Sequence, residues 1–196
     1  MNFDFSEEQK ALQSEVQRFL AGRSDLSVAR AVLDDASLSH SEAVWREMLD
    51  LGWPGIAIPE QYGGVGLGYL ELCVMAQELG RSLAPVPFSS TVYQFCEAVL
   101  RAGNEEQRYA VLAEVAAGET IGTLAFAEGM GFPAPDRIKL RCEQGRLYGE
   151  KWPVPDAMIA DAAVVLAVNE SNEPCLCLVN LAQDGVRRRA LDSIDP

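Results

Sequence analysis

Gly52-Trp53-Pro54-Gly55-Ile56-Ala57-Ile58-Pro59-Glu60-Gln61-Tyr62-Gly63-Gly64-Val65-Gly66-Leu67-Gly68 is the stretch from which the rest of the chain is read. It holds six glycines and two prolines between two segments of helical periodicity. Glycine tolerates φ > 0 and close backbone approach, while proline ends helices and fixes φ. Trp53, Ile56, Ile58 and Val65 punctuate the stretch as apolar anchors, which a flexible Gly/Ser linker lacks. The residues therefore describe a shaped connector, tucked between helices, rather than a tether.

Upstream, Ser6-Glu7-Glu8-Gln9 forms a capping box, and Leu12, Val16, Phe19 and Leu20 follow at helical spacing until Gly22. Asp25 to Asp35 reads as a weaker second helix through Leu26, Ala29, Val32 and Leu33. A third starts at Ser41 and carries Val44, Trp45, Met48 and Leu49 to Gly52. Downstream, a fourth helix spans about Tyr69 to Leu83, with Leu72, Cys73, Ala76 and Leu79 on one face. "LAPVPFSS" breaks it. A fifth runs from about Thr91 to Ala102 with Val92, Phe95 and Val99 inward. A sixth is capped by Asn104 with Gln107 three residues on, carries Tyr109, Leu112 and Ala116, and ends at Gly118. Six amphipathic helices on short connections make a bundle whose apolar stripes form a core.

After Gly118 the period changes from 3.6 to 2. Ile121 to Ala127 reads as a strand. Arg137 to Cys142 alternates charged and apolar residues, as a half-buried antiparallel strand does. Glu143-Gln144-Gly145 is a turn, with Arg146 to Trp152 as hairpin partner. Ala162 to Val168 is an apolar strand, Asn169 to Glu173 a turn, and Pro174 to Leu181 and Val186 to Leu191 two more strands. The expected fold is α+β: a helical domain over 1–118, then an antiparallel β-barrel or sandwich over 119–196. Neither G-x-G-x-x-G nor alternating βα units suggest a Rossmann fold.

Composition excludes several classes. Over 196 residues the chain is 48% hydrophobic and 23% charged, the mix of a globular protein. A net charge of -13 disfavours nucleic acid and anionic membrane as partners. Its one dense basic run, Arg187-Arg188-Arg189, reads as a solvated strand end. No apolar run is long enough for a membrane helix, and Met1 to Glu8 is too polar for a signal peptide, so a cytoplasmic location is expected. Five cysteines, Cys73, Cys96, Cys142, Cys175 and Cys177, do not form a disulfide framework. Cys175 and Cys177 share one strand face, but no second pair or nearby histidine completes a zinc site, and no metal is expected. His40, the only histidine, sits in a polar turn and reads as a cap residue rather than a catalytic base.

The wording of the glycine stretch is more specific than its composition. "GWPGIAIPEQYGGVGLG" resembles the hallmark loop of the acyl-CoA dehydrogenase family. The likeness extends to "FSEEQKALQSEVQRFLA", "LAEVAAGETIGTLAFAE", "LYGEKWPVPDAMIADAAVVLA" and "LDSIDP". The resemblance implies the family's N-terminal helical domain and most of its middle β-domain. The family's C-terminal helical domain, which carries the catalytic base, is absent from the sequence, so no catalytic residue is named. It further implies FAD as cofactor and an acyl-CoA as substrate, desaturated at the α,β bond. Association, as homo- or hetero-oligomer with an acyl-CoA dehydrogenase-like chain, is also implied.

Two segments are similar to the family's flavin-contacting motifs. Ala125-Phe126-Ala127-Glu128-Gly129-Met130-Gly131-Phe132-Pro133 resembles A-(L/V/F)-T-E-P-x-x-G-S-D, with Ala127 in place of the flavin-bonding Thr. Gly149-Glu150-Lys151-Trp152-Pro153-Val154-Pro155 resembles G-x-K-x-(W/F)-(I/V)-(T/S), with Pro153 at the stacking aromatic and Pro155 at the hydroxyl position. The resemblance assigns Phe126, Ala127, Glu128, Trp152 and Pro153 to the cofactor and Gly131 and Pro133 to the substrate. Glu128 at a strand end reads as a structural partner for its turn rather than a base. Three readings stay open: a flavoprotein of the family, a flavin-free partner subunit of a heteromeric dehydrogenase, which the lost side chains favour, or a flavin oxidase or monooxygenase on the same scaffold.

Overall fold

The computed structural model describes residues 4–131 and 137–191; Pro133, and Asp192 to Pro196 of the closing "LDSIDP", lie outside them. Helix α1 (Glu7–Arg23) starts where Ser6 Oγ accepts from Gln9 N and the Gln9 side chain accepts from Ser6 N, the reciprocal cap. Asp25 caps α2 (Leu26–Asp34), Ser41 caps α3 (Glu42–Asp50) and Asn104 caps α6 (Glu105–Ala116). Helix α4 (Tyr69–Ser82) lies along α1, and Gln13 and Gln17 there donate to the Glu78 carboxylate at 2.8 and 2.9 Å. Both donate to Oε1 of this buried acid, and Oε2 lies 3.9 Å from Arg81 Nε. The apolar faces meet around Val16, Leu20, Met48, Met75 and Phe88.

Helix α5 (Glu97–Ala102) continues without a break from a π-helical stretch, Ser89–Cys96, so helical structure begins two residues before the expected Thr91. The wider turn coincides with side chains occupied elsewhere. Ser90 Oγ is 2.6 Å from Asp156 Oδ2, and Thr91 Oγ1 donates to the Gly122 carbonyl at 3.2 Å.

The glycine stretch folds back on itself. Val65 N, Gly66 N and Leu67 N donate to the carbonyls of Gly55, Ile58 and Ile56, each at 2.9 Å. A Cβ at Gly64 would sit 2.0 Å from the Ile58 carbonyl oxygen, so only glycine fits this approach. Trp53, Ile56 and Ile58 are buried as anchors, but Val65 is 51% exposed, because its part of the loop is the outer one.

The strands are β1 (Gly122–Ala125), β2 (Arg141–Glu143), β3 (Arg146–Tyr148), β4 (Ala162–Val168) and β5 (Pro174–Asn180). A β-domain after the helices agrees with expectation, but the pairing sense does not. β4 is central, antiparallel to β5 but parallel to β1 and, at Arg141 and Val168, to β2. The sheet is therefore mixed, and no described pairing closes it into a barrel. The cause is the order of events along the chain: the β2–β3 hairpin is interposed between β1 and β4, so their connection is a crossover rather than a tight turn. β4 is buried on both faces, which explains its unbroken apolar run. One face carries Leu124, Val164 and Leu178 against Phe95, Val99 and Leu112 of the helical layer. The other carries Ala163, Val165, Ala167 and Val179.

Two expected strands are corrected. β2 does not begin at Arg137, since Lys139 N and Leu140 N donate to the Glu128 carboxylate instead of to a ladder. Val186 to Leu191 forms no strand. Arg188 in that segment instead donates from Nη1 to the carbonyls of Ala157, Met158 and Ala160 at 3.0, 3.3 and 2.9 Å.

Candidate functional site

The two segments singled out in the sequence meet at the C-terminal end of β1. Trp152 N donates to the Ala127 carbonyl at 2.9 Å, and Gly129 N donates to the Trp152 carbonyl at 2.7 Å. Glu128 and Trp152 are thereby paired in a short parallel bridge. Gly129, at φ +136°, sits where a Cβ would lie 3.6 Å from the Trp152 indole. Past it Met130 is 90% exposed, and Gly131 is exposed too. Phe126, Ala127, Glu128, Trp152 and Pro153 are thus brought together. Gly131 follows at the open end, and Pro133 is not among the described residues.

An ion pair locks the bridge. Lys151 Nζ lies 2.7 Å from Glu128 Oε1 and 3.3 Å from the Phe126 carbonyl. The side chains of Lys151 and Glu128 are only 5% and 13% exposed. Glu128 Oε2 and Oε1 also accept from Lys139 N and Leu140 N at 2.7 and 2.9 Å. Burial alone would push this carboxyl up. The Lys151 ammonium and the two backbone N–H groups overcome that and hold it below the usual carboxylate range. A general base that must pick up a proton near neutral pH needs the opposite shift and a free oxygen. Glu128 is therefore built to hold three segments together, and its carboxylate is spent on that. Lys151, the residue that makes the lock, was given no role in the sequence reading; a Glu and a Lys at matching distances past two strand ends was the available signal.

The bridge is braced from below. Thr123 Oγ1 donates to the Pro155 carbonyl at 2.6 Å, and Asp161 Oδ2 accepts from Ile121 N at 2.9 Å. Asp156, at φ +50°, turns the chain and takes the Ser90 hydroxyl, tying the π-helical stretch to the segment after Pro155. Ser90 was not singled out from sequence.

The fit of a flavin edge depends on what the bridge has left to offer. The Ala127 carbonyl and both Trp152 backbone groups are engaged with each other's strand. At the positions that the resemblance assigns to two hydroxyl side chains and a stacking aromatic stand the Ala127 methyl, the Pro155 ring and the Pro153 ring, none with a polar side-chain atom. Trp152 is 41% exposed with its indole at Gly129 rather than at the position of Pro153. The backbone frame is present, but the side-chain donors do not fit a hydrogen-bonded flavin, and no redox step is routed through these residues.

A third arrangement was not expected. Cys142 of β2 joins Cys175 and Cys177 of β5, and the three sulfur atoms lie within 4.8 Å of one another. Sequence spacing links the last two only, since Cys142 arrives through the fold. No helix among the described residues is long and apolar enough to cross a membrane.

Comparison with known proteins shows what the chain is similar to. Residues 6–119 match the profile described as "Acyl-CoA dehydrogenase, N-terminal domain". The chain is 32% identical over 169 residues to mitochondrial isovaleryl-CoA dehydrogenase of Pongo abelii, covering 83% of this chain and 40% of that protein. Among solved structures, the ChsE4–ChsE5 complex of Mycobacterium tuberculosis matches with TM-score 0.84 and 28% identity, over 97% of this chain and 52% of the matched one. A variant of the Tcur3481–Tcur3483 steroid ACAD matches with TM-score 0.78 and 32% identity, over 91% and 49% of the two chains. The chain thus spans about half the length, or less, of these relatives.

Proposed function

Since the chain belongs to the acyl-CoA dehydrogenase family, we propose that it works as one subunit of an assembly that desaturates an acyl-CoA thioester with FAD, and that a partner chain holds the flavin. FAD supplies the hydride-accepting chemistry in such an assembly. This chain's share is structural: residues 1–118 as a helical wall and 119–196 as a strand-built one, with the Glu128–Lys151 lock fixing the rim of the strand-built wall. The observation that carries the reading is the chemistry of that rim, where Ala127, Pro153 and Pro155 offer no side-chain hydrogen bond. One solved structure similar to this chain is itself a complex, ChsE4–ChsE5, which supports a partnership of unlike chains.

A second reading, a family flavoprotein in its own right, is favoured by the intact backbone frame between Ala127 and Trp152. Absorbance separates the two. The purified chain is expected to be colourless and to stay so after FAD is added and excess removed. A yellow protein with one flavin per chain overturns the first reading.

Restoring the lost groups tests the cause. The double variant Ala127→Thr, Pro153→Trp is expected to gain FAD affinity by roughly tenfold, the value of about one hydrogen bond plus a stacked ring. No gain in equilibrium dialysis would mean that the side chains are not what excludes the flavin.

A further inference from the structure

We propose that Cys142, Cys175 and Cys177 form a site for one thiophilic d10 cation, Cu+ or Zn2+, on the sheet face turned away from the helices. The geometry comes from three strands. Cys175 and Cys177 are two apart on β5 and so share a face, opposite Ala167 and Val165 of β4. Cys142 follows Arg141, which pairs with Val168 at the other edge of β4. The residue beneath the thiols, Ala167, is small and fully buried, so side chains from β2 and β5 converge above it.

The distances suit a metal. A Zn–S bond of about 2.3 Å puts tetrahedral ligand sulfurs ~3.8 Å apart, and trigonal ones ~4.0 Å apart. The three sulfurs already lie within 4.8 Å of one another, so closure needs shifts of under about 1 Å, within reach of side-chain adjustment. All three cysteines are half-buried, neither sealed in a core nor free in solvent. Soft thiolates select Cu+ and Zn2+ over hard cations. Three thiolates complete a trigonal Cu+ site, whereas Zn2+ would keep a fourth position for water. Burial, then the neighbouring Cys142 and Cys175 thiols, push the Cys177 thiol up to about 12. Each metal–sulfur bond forms to a thiolate, any thiol proton leaving to solvent, with no change of oxidation state.

The remaining thiols supply the controls: Cys73 is exposed on α4, and Cys96 is buried in the π-helical stretch. Purified chain carrying Cys73→Ser is titrated separately with Zn2+ and, anaerobically, with Cu+, against a chromophoric chelator. The expected result is one equivalent bound by this background. Each of Cys142→Ser, Cys175→Ser and Cys177→Ser should lower the affinity at least ~10-fold. Whichever cation is held more tightly identifies the coordination. Mass mapping of alkylated cysteines in the unmutated chain gives a second readout, free of any folding defect in the variants: bound metal should protect Cys142, Cys175 and Cys177 and leave Cys73 reactive. Absence of one-equivalent binding for both ions, affinity unchanged in the serine variants, or protection that omits Cys142 would each overturn the site.

Discussion

Glu128→Ala should destabilise the chain by about 3 kcal/mol, toward the lower end of the cost of leaving a buried charge without its partner. The loss is large because three segments depend on one carboxylate. Lys151 Nζ, only 5% exposed as a side chain, would lose its counterion. Lys139 N and Leu140 N would lose their acceptor, at the point where the chain enters β2. Lys151→Met should cost less, because Glu128 would retain both backbone donors. Urea unfolding followed by tryptophan fluorescence measures the difference, and a cost under about 0.5 kcal/mol for Glu128→Ala, the scatter of ordinary surface substitutions, would remove the lock from the account.

The same carboxylate sets a pH dependence. Its folded value is held below the ordinary one, so its contribution is present in full above the ordinary carboxylate pKa of about 4.3. That contribution is lost as pH falls from there through the depressed folded value. Unmodified chain should therefore lose stability more steeply than Glu128→Ala below that pH, and the two curves should run parallel at neutral pH. Parallel curves throughout would show that Glu128 titrates alike in the folded and unfolded chain.

The helices were legible because their signals are local. Ser6, Asp25, Ser41 and Asn104 each cap a helix from a position fixed by two or three neighbouring residues. β4 was legible as an apolar run between polar turns. What escaped was set by contacts distant in sequence. Arg137 to Leu140 has a strand pattern, yet the N–H groups of Lys139 and Leu140 are claimed by Glu128. Val186 to Leu191 alternates as well, yet Arg188 reaches back to three carbonyls and no ladder forms there. Parallel pairing of β1 with β4 leaves no mark on either strand, because it follows from the hairpin inserted between them. The candidate site divides in the same way. The motif positions pointed to two segments that the fold brings side by side, while the Lys151 partner and the arrival of Cys142 beside Cys175 and Cys177 required the fold.

The docking of helices on the sheet turns on one ring and one missing side chain. Phe95 is fully buried in the π-helical stretch and packs directly on β1, where a Cβ added to Gly122 would lie 2.0 Å from its ring. Thr91 fixes the same spot, donating to the Gly122 carbonyl and accepting from Gly122 N at 3.2 and 3.3 Å. Phe95→Ala should cost about 3–5 kcal/mol, the usual loss for an aromatic side chain in a packed core. Gly122→Ala should cost about 1–3 kcal/mol through overpacking, since the obstacle is a ring held in a core and not a flexible chain end. The informative measurement is the double variant. With the ring gone, the new methyl enters the space it vacated, so the combined cost should fall short of the sum by about 1 kcal/mol or more, as expected for residues in direct contact. Strict additivity would mean that the ring and the strand do not meet as described, and that the helical layer is held to β1 by Thr91 and the surrounding aliphatic contacts instead.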